Sequence, residues 1–235
     1  MAFETVSLDR RHRRRLQTIE EVVDHAVEIM AEDGVAGLSL GEIARRMGIR
    51  PPSLYGYFPS KHALYDTLFK RGWELLLADL QEYDAAEPPD GENLAAILTR
   101  FGEHFARWSV EHPAYAQLLF WRPVPGFRPS EAAYGPAVDV YKLGLRRFTE
   151  LHERGVIRAD ADVNLALRQW TTVISGVIGQ QLSNAPQEPF DRGQYTTQIP
   201  VLAEMFAAHY ANPRRTRTAR ASETARSRRG HERNH

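Results

Sequence analysis

No cysteine occurs among the 235 residues, which removes disulfides, thiolate metal sites and a cysteine nucleophile from consideration and fits a reducing compartment. No segment approaches the roughly 18 uninterrupted apolar residues of a membrane span. The first residues also lack the apolar core of a secretion signal, so a soluble, cytoplasmic protein with no membrane partner is expected. The phosphate-binding P-loop and the dinucleotide fingerprint are missing as well, and no catalytic residue or cofactor is assigned. Strand-like alternation persists nowhere, so helix is the only period and an all-α fold is expected.

Net charge is absent too, but only in the sum. Residues 1–15 hold five arginines against Glu4 and Asp9, a balance of +3, and residues 211–235 hold eight against Glu223 and Glu232, a balance of +6, so the remainder carries −9. Basic ends on an acidic body are the distribution expected when only some surfaces meet phosphate. Hydrophobic residues at 43% and charged residues at 26% are ordinary for a globular chain.

The densest pattern runs from Leu38 to Lys61. Ser39 stands three residues before Glu42, and Ile43, Ala44 and Met47 share one face, which predicts a short helix opened by a capping box. Gly48 can close it in the left-handed conformation, and Pro51-Pro52 suit the first turn of a second helix, PPSLYGYF, anchored by Leu54 and Phe58. Two short helices around a glycine turn make a helix-turn-helix, whose second helix enters the major groove of DNA. Docked that way, Ser53, Tyr55, Gly56 and Tyr57 meet the groove, and Arg50 and Pro51 stand at its entry. Ser39, Gly41 and Lys61 flank it near phosphates, and Arg14 and Arg15 approach from the N-terminal side. The alternative for Tyr55 and Tyr57 is packing between helices.

Along the chain, residues 1–14 read as a basic arm whose arginines, tethered at the head, can enter a narrow minor groove. Leu16, Ile19, Val23, Ala26 and Met30 predict a first helix ending at Gly34, and residues 15–60 form a three-helix head. Ser60 caps a long fourth helix, Pro88 to Gly91 break the chain, and further helices are predicted at 94–111, from Pro113, and at 131–153, 161–183 and 199–210. Residues 61–210 thus make a second, helical domain, and 211–235 an arginine-rich disordered tail. The helix at 161–183 is apolar on two stripes, Val163, Leu167, Trp170, Ile174 and Val177 on one and Ala166, Val173 and Ile178 toward the other, so one neighbour can come from a second subunit. Glu103, His104, Glu111 and His112 suggest a metal only superficially, because positions eight apart lie about 80° around a helix. No metal site is assigned.

Residues Ser53 to Leu64, SLYGYFPSKHAL, closely resemble the recognition-helix signature of the tetracycline-repressor (TetR) family of bacterial regulators: a leucine-tyrosine pair, a histidine or aromatic, a phenylalanine, a serine-lysine pair and a leucine. Gly56, in place of a bulky residue, and Pro51-Pro52, in place of a polar pair, depart from it. The resemblance implies a homodimer joined by its last two helices, and a second domain enclosing a small-molecule effector. His104, Trp108, Phe120, Trp121, Tyr141, Trp170 and Ile174 supply the aromatic, apolar and polar groups such a cavity uses, or else are core. It further implies a repressor released from a palindromic double-stranded operator when the effector binds. A helical enzyme, or an architectural DNA binder without sequence preference, is the alternative.

Overall fold

The computed structural model describes residues 2–86 and 93–213, with side chains described from residue 11 onward. Its helices are α1 (Ala2–Asp33), α2 (Leu40–Arg46), α3 (Pro51–Leu54), α4 (Lys61–Ala86), α5 (Leu94–Glu111), α6 (Pro113–Ala116), α7 (Glu131–Glu153), α8 (Val163–Asn184) and α9 (Ile199–Tyr210). The chain is all-α as expected: among the described residues the β pairing is one isolated bridge between Ile157 and Ala211. None of the described helices is long and apolar enough to cross a membrane. The break at Pro88 to Gly91 and the arginine-rich stretch beyond residue 213 lie outside the described residues.

The chain divides into two compact units, the first made of Met1–Ala78 and His112–Val138 and the second of Asp79–Glu111 and Asp139–His235. The head expected at 15–60 is therefore part of a larger unit that also takes in most of α4 and the segment around α6.

In the first unit, Val22, Val23, Ala26, Ile29 and Met30 recur on one face of α1 and are all buried. α2 closes on Gly48, whose φ is 66°; the Gly48 amide donates to the Arg45 carbonyl and that of Ile49 to Ala44 at 3.0 Å. Ser60 caps α4 as expected, its Oγ accepting from the Ala63 amide at 3.1 Å. Tyr65, one turn into α4, is fully buried and donates to the Val35 carbonyl at 2.5 Å, fastening the turn between α1 and α2. On another side of α4, Asp66 accepts from both the amide and the hydroxyl of Ser130 at 2.7 Å, and Phe127 packs on Tyr65 and Phe69. Further along, a Cβ at Gly72 would stand 2.6 Å from the Tyr115 ring, so only glycine lets this segment approach.

In the second unit, Gly102 of α5 lets Trp170 and Ile174 of α8 and Ile199 of α9 come close, since a Cβ there would meet them at 2.9, 2.8 and 3.2 Å. Buried Gln181 organises the loop before α9, donating to the Ala185 carbonyl at 2.7 Å and accepting from the Tyr195 amide at 3.1 Å. Both stripes of α8 are covered in part within this unit, with Val163 and Val173 left half-buried. Leu167, Trp170, Ile174 and Val177 of the first are buried, and so are Ala166 and Ile178 of the second. Ile178 has no exposed surface and is core.

Burial pushes the Tyr65 hydroxyl up from 10.0 to about 12. A group whose neutral form is favoured by folding stabilises the fold fully below its unfolded pKa. That contribution should hold below pH 10 and fade as the pH rises through about 12. Tyr65→Phe removes the hydrogen bond and strands a carbonyl, so urea denaturation at neutral pH should show a loss of about 1–3 kcal/mol. The variant should also lack the alkaline decline attributable to this residue.

Candidate nucleic-acid interface

The helix-turn-helix forms as the spacing requires, with one shortening. Leu54 and Phe58 are buried at 0% and 4% exposure, while Arg50, Pro51, Ser53 and Gly56 are exposed, Tyr55 is 55% exposed and Tyr57 half-buried. The helix expected to run through Phe58 stops at Leu54, and the amides of Tyr57 and Phe58 both donate to the Leu54 carbonyl at 2.9 Å. Gly56 is a poor helix former, and Pro59 disfavours helical backbone at the residue before it. The fold itself does not demand glycine at 56, because an added Cβ would make only an ordinary 3.5 Å contact with the Ser53 carbonyl.

Ser39 occupies the cap position of α2 in extended backbone and Gly41 is exposed beside it, but the capping box is not made. Two guanidiniums compete for the Glu42 carboxylate and win it, since charge-assisted bonds outlast one to a neutral amide. Arg45 donates to it at 2.7 and 2.8 Å and Arg46 at 3.0 Å. These bonds, Arg45 first, draw the Glu42 carboxyl from 4.5 down to about 2. Arg46 also grips Glu32 of α1, whose carboxyl is lowered for the same reason, and so ties α2 to α1.

The basic arm expected at 1–14 is, in its described part, the first turns of α1, continuous with the helix of the head. Reading it as an arm rested on missing apolar periodicity, whereas arginine, leucine and glutamate are good helix formers without any apolar partner. Arg15 therefore has a defined position: it donates to the Gly56 carbonyl at 3.2 Å and lies over the Tyr57 ring at 5.1 Å. Arg11, His12, Arg14, Arg15 and Tyr57 together line a surface groove of about 430 Å³. Arg11 belongs to the arm arginines expected near DNA, while His12 was not singled out by the sequence; its spacing of three from Arg15 marks it once the segment is helical. Lys61 is already occupied, donating to the Ala36 carbonyl at 3.1 Å above the Tyr65 ring.

The seven aromatic, apolar and imidazole residues expected around an effector are divided between the two units. Phe120 and Trp121 belong to the first unit, Phe120 edge-on to Trp73 and Trp121 44% exposed. In the second unit Tyr141 is 41% exposed and reaches Asn164, while His104 bonds Asp79 at 2.7 Å and stacks on Tyr83. Trp108, Trp170 and Ile174 are buried, the last two side by side against Gly102. One cavity in this unit, lined by Tyr83, Ile97, Phe101, Gly144, Arg147 and Phe148 among others, measures about 40 Å³ and includes none of the seven. Pockets for drug-sized ligands run to about 300–1,000 Å³.

Two stretches carry the letters of catalytic motifs. Gly37 to Gly41 spell G-x-S-x-G, but join a 3-10 turn to α2 where a nucleophile elbow joins a strand to a helix. His231 to His235 spell H-E-x-x-H and lie outside the described residues.

An all-helical chain whose N-terminal unit presents an exposed second helix beside arginines has the architecture of a helix-turn-helix DNA-binding protein. Residues 22–68 match the family model of bacterial regulatory proteins of the tetR family. The tetracycline repressor protein class C of Escherichia coli is 39% identical over 178 residues, covering 76% of this chain and 73% of that protein. The class D repressor of Escherichia coli is 30% identical over 131 residues, 56% of this chain, and the match spans about half of that relative, 53%. The crystal structure of the transcriptional regulator FadR from Bacillus subtilis in complex with stearoyl-CoA shares the fold, with TM-score 0.59 and 17% identity over 80% of this chain and 96% of that one. The chain belongs to the tetR family.

The Glu42 carboxylate is favoured by folding, so its contribution is complete above pH 4.5 and lost as the pH falls toward about 2. Thermal unfolding followed between pH 6 and about pH 2 should therefore fall more steeply for the native chain than for Glu42→Gln, with the two curves converging at the acid end. Parallel curves would show that the Glu42 carboxylate and its bonds to Arg45 and Arg46 add nothing to the stability of the folded chain.

Proposed function

We propose that the chain is a homodimeric transcriptional regulator, in the main a repressor, that binds a palindromic operator and is released by a small-molecule effector. The observation that carries this is the division of α3 and its turn: Leu54 and Phe58 are spent on the core, leaving Ser53, Tyr55 and Gly56 fully presented. Tyrosine hydroxyls donate to phosphate or to base acceptors, ring edges meet thymine methyls, and the bare Gly56 backbone permits close approach. Membership of the tetR family supports the same reading.

Two half-sites about 34–36 Å apart require two linked heads. The face of α8 and α9 left uncovered supports the dimer: Leu165, Val201 and Met205 are 40%, 57% and 66% exposed, and Gly176 faces open space. An effector would act by favouring a dimer geometry in which the heads no longer match successive major grooves. The relative FadR was solved with stearoyl-CoA, which supports an effector for this chain too. The indole Nε1 of Trp170, buried without a partner, is the handle an effector's acceptor would satisfy.

Gel shifts comparing a palindromic fragment from the upstream region of the chain's own gene with random duplex should show strong preference for the former. Equal binding would sink operator recognition. Tyr55→Ala should weaken operator binding by about 1–3 kcal/mol while unfolding within about 0.5 kcal/mol of the native chain. Met205→Glu should yield monomers in light scattering; a dimer that survives it and Val201→Glu places the interface elsewhere.

A further inference from the structure

α1 carries a feature that the helix-turn-helix does not use. Its core-facing positions are Val22, Val23, Ala26, Ile29 and Met30, all buried, and Ile19 is half-buried at the edge of the head. Stepping back at helical spacing, the same face continues as Arg15, His12 and Arg11, all exposed. A face that is apolar over the core and turns basic where the core ends has been built for an anionic neighbour. Arg14 joins these three, Tyr57 forms the opposing wall, and none of the five residues lining the groove is acidic.

The form of this segment decides what it can touch. An α-helix is about 10–12 Å across with its side chains, and the minor groove of B-DNA is about 6 Å wide. The helix body itself therefore stays outside the minor groove. Phosphates remain within reach. Tyr57 follows directly on the exposed residues of the recognition turn, so a duplex with α3 in its major groove brings a bordering strand toward this wall. From Arg11 to Arg15 the helix advances about 6 Å, which spans roughly two phosphates at about 3.4 Å of axis each per strand.

We propose that the N-terminal overhang of α1 is a clamp for backbone phosphates of duplex DNA. Arg11, Arg14 and His12 contact the strand bordering the major groove, and Arg15 acts as a positioning residue, fixing the Gly56 carbonyl and the Tyr57 ring. The clamp adds affinity without reading sequence. It rests on the operator-binding reading and assigns to α1 a role that reading does not contain.

The test uses the full chain with Arg11→Gln and Arg14→Gln combined, titrated into operator and random duplex over a series of salt concentrations. The expected result is a similar loss on both, about tenfold or more at low salt, with the slope of log affinity against log salt flattened by about 0.9 for each phosphate contact removed. The double lysine variant should keep most of the slope, and thermal unfolding of both variants should match the native chain because the two arginines are exposed. An unchanged slope with native operator preference intact overturns the clamp alone. A loss confined to operator also overturns it, by assigning these arginines to base recognition. A native chain that does not prefer operator over random duplex overturns the operator-binding reading, and one that binds neither overturns both.

Discussion

One buried hydroxyl fastens the first unit at its centre. Tyr65 sits in the first turns of α4 with no exposed surface, and its bond to the Val35 carbonyl reaches the turn where α1 passes into α2. Lys61, one turn earlier, takes the neighbouring Ala36 carbonyl, so α4 grips that turn at two successive carbonyls. The same helix receives Ser130 on Asp66 and Tyr115 across Gly72. Buried polar groups left without partners cost more than the bonds contribute when made, so these contacts fix one arrangement of head and α4 against slipped alternatives.

The recognition element depends on that frame because it cannot support itself. α3 is four residues long, far below the length at which an isolated helix persists in water. Its position comes from Leu54 and Phe58 in the core and from Arg15 on the Gly56 carbonyl. In the proposed function, base recognition by so short an element is recognition by a fixed turn, which fits a glycine at 56 that the fold does not require. α4 carries Asp79 and Asp84 of the second unit as well, where His104 and Arg147 hold them.

The fold was legible because its signals were redundant. The α2–α3 turn has a glycine that must be left-handed and prolines that must follow it, and the long helices repeat their stripes over many turns. What was not legible were outcomes of competition. Glu42 has the right spacing for a capping box, but Arg45 and Arg46 are better partners than an amide. The arginines before Leu16 look like an arm when only apolar period is counted, though their backbone is helical. On α8 a stripe shows that a face is covered without saying by which chain, and Ile178 proved to be covered by its own. Aromatic residues of the second domain likewise identify themselves as apolar, not as cavity wall, and Trp121 and Tyr141 ended at the surface.

The central claim is that duplex DNA lies against the exposed surface formed by α3, its following turn and the first described turns of α1. Amide hydrogen exchange of the full chain, with and without the upstream palindromic duplex, tests it most directly, since protection reports local contact residue by residue. The account predicts added protection over residues 11–15, 39–41 and 51–57, with the exposed face of α9 unchanged. Protection confined to the second unit, or none around Ser53 to Tyr57 while the complex is formed, would contradict it.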